Sequence, residues 1–174
     1  MNKKSKILYE KYKELVFNVA LHYTQNIEDS EEITQDVFIS IFENIKDFRE
    51  ESTLKTWAYR ITINKSLDFL KSKKRLKRIF FFNSLKIDDQ DKKISIPEIN
   101  HPGIILENKE SVNAIFKGIN QLPPKLKTVI ILLKIEGESQ KETAKIMQIS
   151  VKAVESLFHR AKKKLSIILK DNER

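Results

Sequence analysis

Three glycines, at positions 103, 118 and 137, are all that this chain of 174 residues contains. The long segments between them carry apolar residues at helical spacing, and none shows the sustained alternation of a strand. The chain is therefore expected to be all-α. A first helix is expected over about 5–23, with Leu8, Tyr12, Leu15 and Val19 as its apolar stripe. A second should open at Asp29, acting as a cap answered by Glu32 three residues on. Ile33, Val37, Ile41 and Ile45 then recur at i, i+4 and bury one face. A third should start near Ser52 and run through Leu54, Trp57, Ala58 and Ile61 to Lys71 or beyond. Around its axis Arg60, Asn64, Lys71 and Arg75 fall within about 60° of one another.

Residues 83–104 differ in kind. Asp88, Asp89 and Asp91 are followed by Pro97, Pro102 and Gly103 with no period, the composition of a flexible linker or of a segment ordered only in a complex. This divides the chain into two small helical domains, 1–82 and 105–174. In the second, a helix over about 105–119 precedes Pro123-Pro124, which restarts the chain into a helix bearing Leu126, Val129, Ile130 and Leu133. Gly137 should end it. Ser139 and Glu142 have capping-box spacing for a short helix to about Met147. Ile149-Ser150 forms a turn, and a last helix covers about 151–169.

A short helix, a tight turn and a longer basic helix describe a helix-turn-helix. With Lys152 set at 0° and about 100° per residue, Leu157, Ala161, Val154, Leu165 and Phe158 lie between about 140° and 240°. Ser156, His159, Arg160 and Lys163 lie opposite, between about 340° and 80°. One side can pack while the other enters a major groove. Two roles are open to Glu155, beside that face: accepting from a cytosine amino group, or orienting a neighbouring cation. A solvated basic face with no ligand is the alternative for the whole unit.

The formal net charge is +9, unevenly spread. Residues 1–50 hold 7 basic and 10 acidic side chains, 51–82 hold 9 and 2, 83–120 hold 5 and 6, and 121–174 hold 12 and 6. Two separate basic regions suggest two contacts with a polyanion such as DNA, and the acidic first segment suggests a protein partner. Six of the ten residues 71–80 are basic. There is no cysteine, hence no disulfide framework, thiolate nucleophile or cysteine-based metal site. The three histidines, His22, His101 and His159, are widely separated, and no phosphate-cradling glycine loop or nucleophile motif occurs. No enzyme, no metal and no cofactor are expected. Neither a secretion signal nor a membrane span is found, so a cytoplasmic protein is expected.

Two stretches together resemble the sigma-70 family, in its extracytoplasmic-function group. These are SEEITQDVFISIFENIKDFREESTLKTWAYRITINKSLDFLKSKKR, residues 30–75, and LPPKLKTVIILLKIEGESQKETAKIMQISVKAVESLFHRAKKKL, residues 122–165. They are similar to conserved regions 2 and 4 of the family, in the right order, with region 2 extending back to the first helix. The resemblance implies a subunit that binds core RNA polymerase and directs promoter-specific initiation. Asp29, Glu32, Gln35, Asp36 and Phe38 match the polymerase-docking helix, with Val37 and Ile41 as packing. The segment from Asp47 to Thr53, with Lys55 and Trp57, is similar to the part that opens the −10 region. Arg60 and Asn64 would lie along the non-template strand, and Lys71, Lys74, Arg75 and Arg78 would hold phosphates. Trp57 and Phe38 also suit a core, and Asn64 a helix surface.

Region 4 implies recognition of the −35 element by Ser139, Lys141, Lys152, Glu155, Ser156, His159, Arg160 and Lys163. The family often carries a basic residue where Glu155 stands, which bears on the −35 sequence read. The 83–104 stretch resembles the spacer threaded through the polymerase, and an anti-sigma factor is implied as a further partner. Two other readings compete: a stand-alone regulator using only the helix-turn-helix, and an RNA-binding adaptor using the 71–78 run. Neither accounts for the 30–75 block.

Overall fold

The computed structural model describes residues 3–45, 48, 52–84 and 109–172, and among these every regular element is a helix. α1 (Lys3–Thr24) is followed by α2 (Ile27–Asn44) and by the 31-residue α3 (Leu54–Ser84). α4 (Lys109–Asn120) and α5 (Pro124–Ile130) come next. A π turn over Ile131–Ile135 prolongs α5, and α6 (Gln140–Met147) and α7 (Val151–Asn172) complete the chain. Apart from Asn83 and Ser84, which end α3, the expected linker 83–104 lies outside the described residues.

α1 to α3 pack around Tyr12, Val16, Ala20, Ile33, Val37, Phe38, Ile41 and Ala58. Ile33, Val37 and Ile41 are buried as the spacing predicts, with Ile45 half-buried. The start of α2 departs from expectation. Asn26, not Asp29, is its N-cap: extended at φ −141°, it accepts through Oδ1 from the Asp29 amide at 2.7 Å. The helix thus begins one turn earlier, after Gln25 turns the chain at φ +54°. Asp29 falls in the first turn, where the helix dipole favours a carboxylate, and Glu32 is exposed. On α3, Thr53 Oγ1 accepts from the Thr56 amide at 3.1 Å, capping the start one residue after the expected Ser52.

The second half of the chain is the expected helix-turn-helix with two helices behind it. Gly118 on α4 is a point of close approach: a Cβ there would stand 2.9 Å from Leu165 Cδ1 and 3.1 Å from Leu169 Cδ2. Gly137, at φ +69°, turns the chain after the π segment.

The two halves share one core. Val19 and Tyr23 of α1 and Tyr59 and Ile63 of α3 are buried with Ile119, Leu122, Leu126, Val129, Leu132, Ile146 and Val154 of the second half. α1 and α3 therefore each bury two faces, one toward α2 and one toward the helix-turn-helix. Among the described residues no helix is long and apolar enough to cross a membrane.

Asn26→Ala should cost about 1 kcal/mol and lower the melting temperature by about 2–4 °C. Glu32→Ala should leave it within about 1 °C if Glu32 closes no capping box. Calorimetry on the two variants checks which residue caps α2.

Candidate nucleic-acid interface

Local capping fixes the helix-turn-helix. Ser139 Oγ accepts from the Glu142 amide at 3.1 Å, starting α6 at the expected spacing. Gln148 takes a left-handed conformation (φ 55°), and the Ile149 amide closes back on the Ala144 carbonyl at 3.1 Å. Ser150 then caps α7, accepting from the Ala153 amide at 3.2 Å. Val154 and Ala161 are fully buried, and Leu157, Phe158 and Leu165 half-buried, so the apolar arc found by helical angle is the packed one. Lys152, Glu155, Ser156, His159, Arg160 and Lys163 are all exposed, as are Ser139 and Lys141 at the start of α6. A face of this composition offers phosphate-binding cations together with base-edge donors and acceptors.

α3 supplies the second basic surface. Lys71, Lys74, Arg75 and Arg78 are exposed on its C-terminal half, Lys71 beside Asp68 at 3.0 Å. Lys73, between them and not singled out by sequence, pairs with Asp29 of α2. Trp57 is half-buried against Phe48, ring centroids 5.1 Å apart. Of the 47–53 segment only Phe48, Ser52 and Thr53 are among the described residues. On α2, Gln35 and Asp36 are exposed beside Glu32, whereas Phe38 is 4% exposed and packs on Tyr9 at 4.7 Å. Phe38 thus stands behind the acidic face as part of the core.

The N-terminal half of α3 meets the helix-turn-helix directly. Arg60 donates from Nη2 to the Lys145 carbonyl at 2.7 Å. A cleft of about 600 Å³ between α3 and α7 is lined by Arg60, Asn64, Lys125, Gln148, Ser156 and Arg160. Residues expected to read two separate DNA elements therefore face one another.

Beside the cleft lies a polar cluster that sequence reasoning did not find. The Tyr59 hydroxyl sits 3.0 Å from both Glu136 Oε2 and Glu138 Oε1 and shares its proton between them. Lys55 Nζ reaches Glu138 at 2.6 Å, and His22 Nε2 lies 3.2 Å from Glu136 Oε1. Burial, and then the two carboxylates, hold the Tyr59 phenol protonated well above its ordinary range. Tyr23 donates to Thr128 Oγ1 at 2.5 Å, since the Thr128 hydroxyl is itself committed to the Pro124 carbonyl. Lys127, 5% exposed, donates from Nζ to the Tyr23 carbonyl at 2.8 Å and to Asn120 Oδ1. Burial, helped by the Lys74 charge, pushes its ammonium down to about 7.

The first half of this arrangement matches the model of sigma-70 region 2 over residues 8–76, and the second matches sigma-70 region 4 over 113–165. The ECF RNA polymerase sigma-E factor of Haemophilus influenzae is 28% identical over 156 residues, 90% of this chain and 82% of that one. The ECF RNA polymerase sigma factor SigW of Bacillus subtilis is 28% identical over 164 residues, 92% and 86% of the two chains. The chain belongs to the sigma-70 family, in its extracytoplasmic-function group. Two solved structures share the sigma factor's fold. The sigma factor RpoE of Bartonella quintana, in complex with the anti-sigma factor NepR, is 20% identical with a TM-score of 0.65 over 97% of this chain and 98% of that one. CnrH, in complex with the cytosolic domain of CnrY, is 22% identical with a TM-score of 0.66 over 98% and 90%. Sigma factors supply positioning to transcription and are not enzymes. The match from residue 8 brings α1 into region 2, as the resemblance implied.

Lys127 makes the sigma factor's stability depend on pH in a definite direction. Its pKa is lower in the folded chain than in the unfolded one, so the unfolded chain binds the extra proton between about pH 7 and 10.5. Stability from this group should rise through that window by up to about 1.4 kcal/mol per pH unit, and stay flat below it. Lys127→Met should remove that rise when chemical unfolding at pH 7 and pH 9 is compared.

Proposed function

We propose that this sigma factor binds core RNA polymerase through the exposed acidic face of α2 and directs promoter-specific initiation with two reading faces. Glu32, Gln35 and Asp36, with Asp29 paired to Lys73 at their edge, set the orientation of docking, and Phe38 holds the helix from behind. α3 acts at the −10 element. Lys55, Trp57, Arg60 and Asn64 engage the separating strands, while Lys71, Lys74, Arg75 and Arg78 hold phosphates. An extruded base captured there offsets an unstacking cost of a few kcal/mol. α7 acts at the −35 element. Lys152, Ser156, His159, Arg160 and Lys163 enter the major groove with Glu155 at their edge, and Ser139 and Lys141 approach the backbone. Residues 1–82 and 105–174 are then two working modules joined by 83–104. The chain acts in the cytoplasm, where polymerase and chromosome are.

The observation that carries this reading is the double one. A capped, exposed polar reading face on α7 coexists in one chain with a second basic face on α3. One solved neighbour, RpoE of Bartonella quintana, was captured with an anti-sigma factor, and we extend that class of partner to this chain.

Purified core polymerase should yield new transcripts from a pool of genomic fragments only when the chain is added. Their start sites should lie at a fixed distance from shared −35 and −10 elements. The absence of such starts with a folded chain and active core would return the weight to a stand-alone regulator; a preference for RNA hairpins would favour the adaptor. Asp36→Lys should weaken capture of core polymerase at least tenfold and leave duplex binding alone. Arg160→Ala and Lys163→Ala should each flatten the salt dependence of duplex binding, lowering the log–log slope by about 0.9.

A further inference from the structure

The cleft between α3 and α7 has the size and the lining of a small-molecule site. At about 600 Å³ it falls within the range of ligand pockets, roughly 300–1,000 Å³. Ile63, Leu67, Ile146 and Leu157 give it an apolar wall. Arg60, Lys125 and Arg160 stand in the same lining, and none of the described residues around it is acidic. Asn64 and Gln148 add two carboxamides, each able to donate and to accept. A cleft that carries one sign of charge over low-dielectric walls focuses its field and concentrates counter-ions. Arg60 is also short of partners. Its Nη2 donates to the Lys145 carbonyl, but its Nε is buried with no hydrogen-bond partner among the described residues. A charged donor taken from water and left unpaired carries a desolvation cost that an anion relieves.

We infer that this cleft is a binding site for a small organic anion, with an apolar body against Leu67 and Leu157 and an acidic head held by Arg60, Lys125 and Arg160. Inorganic phosphate would engage the cations and leave the apolar wall to water. A hydrocarbon would cover the wall and leave the cations without a counter-charge. Only a molecule with both parts satisfies the whole lining. The cleft is too small for a duplex, whose major groove alone is about 12 Å wide. Both halves of the chain build it, Arg60 and Asn64 from α3 and Lys125, Gln148 and Arg160 from the second half. The site stands whether or not these faces also read promoter DNA. Where they do, Arg60, Asn64, Ser156 and Arg160 cannot serve the anion and the DNA at once, so the ligand competes with the promoter.

Two fluorescent probes that differ only in charge test the site on the full chain: anilinonaphthalene sulfonate, and uncharged phenylnaphthylamine, which is the same ring system without the sulfonate. The sulfonate should saturate at one equivalent and bind about tenfold more tightly than the uncharged amine. Lys125→Glu, at an exposed position given no part in DNA reading or polymerase docking, should weaken the sulfonate about tenfold and the amine little. Ala153→Phe fills the cleft from α7 and should weaken both probes; should it not fold, Lys125→Glu carries the test. Inorganic phosphate at matched ionic strength should displace the sulfonate far less well than dodecanoate or adenosine monophosphate. Stronger displacement by dodecanoate makes the body an acyl chain, and by the nucleotide a nucleoside. Equal affinity for the two probes, several equivalents without saturation, or sulfonate binding that Lys125→Glu leaves unchanged overturns the site. Displacement by a short single strand of DNA at lower concentration than by either small anion overturns the small-molecule reading and assigns the cleft to an extruded base.

Discussion

Val19, Tyr23, Tyr59 and Ile63 belong to the helices of region 2, yet they are buried in the core of region 4. The position of the helix-turn-helix relative to α3 depends on that insertion. A helix with one apolar stripe can serve only one neighbour. α1 and α3 carry a second stripe, so the helix-turn-helix is seated on them and α7 is brought to the edge of α3. Full burial of four side chains of this size represents roughly 6–12 kcal/mol of gross transfer free energy, an upper estimate. Separation of the regions in water would lose most of it. Only a partner covering comparable surface would offset the loss.

The distribution of polar groups in the same interface works against permanence. Tyr59, Glu136, Glu138, Lys55, His22, Thr128 and Lys127 are clustered where aliphatic residues would have bound more tightly. Desolvation offsets much of the attraction within a buried ionic cluster, so such a cluster adds little net stability. The interface thus combines apolar packing with a polar cluster that is itself largely buried. Arg60 and Lys55 also reach across to the second half, so contacts between the regions occupy side chains proposed for the −10 strand.

The helices and the exposed polar face of α7 were legible in sequence because they are set by period alone. Val154 and Ala161 are buried and Lys152, Ser156 and Arg160 exposed, as the angular plot requires. The cap of α2 was misread for a local reason. Asn26 and Asp29 are both good caps, three residues apart, and apolar Ile27 does not tell which side of it the helix begins. The interface between the regions was harder to see. Tyr23 and Tyr59 resemble surface-edge residues, their partners lie more than 75 positions away, and Lys127 reads as one more charge on a basic face. Phe38 illustrates the converse: its place on α2 was visible, but its direction around the axis was settled by packing on Tyr9.

The π turn shows how little sequence signal such an arrangement needs. In a regular α-helix the Glu136 amide would bond to Leu132, and residues after it would continue the same stripe. Bonding to Ile131 instead inserts one residue into the turn and rotates the succeeding residues by about 100°. Gly137, at φ +69° with open space where a Cβ would be, then reverses the chain within two residues. Together they aim Glu136 and Glu138 at the Tyr59 hydroxyl while Ser139 is still free to start α6. The element that launches the DNA-reading unit is thus the same one that ties it to α3.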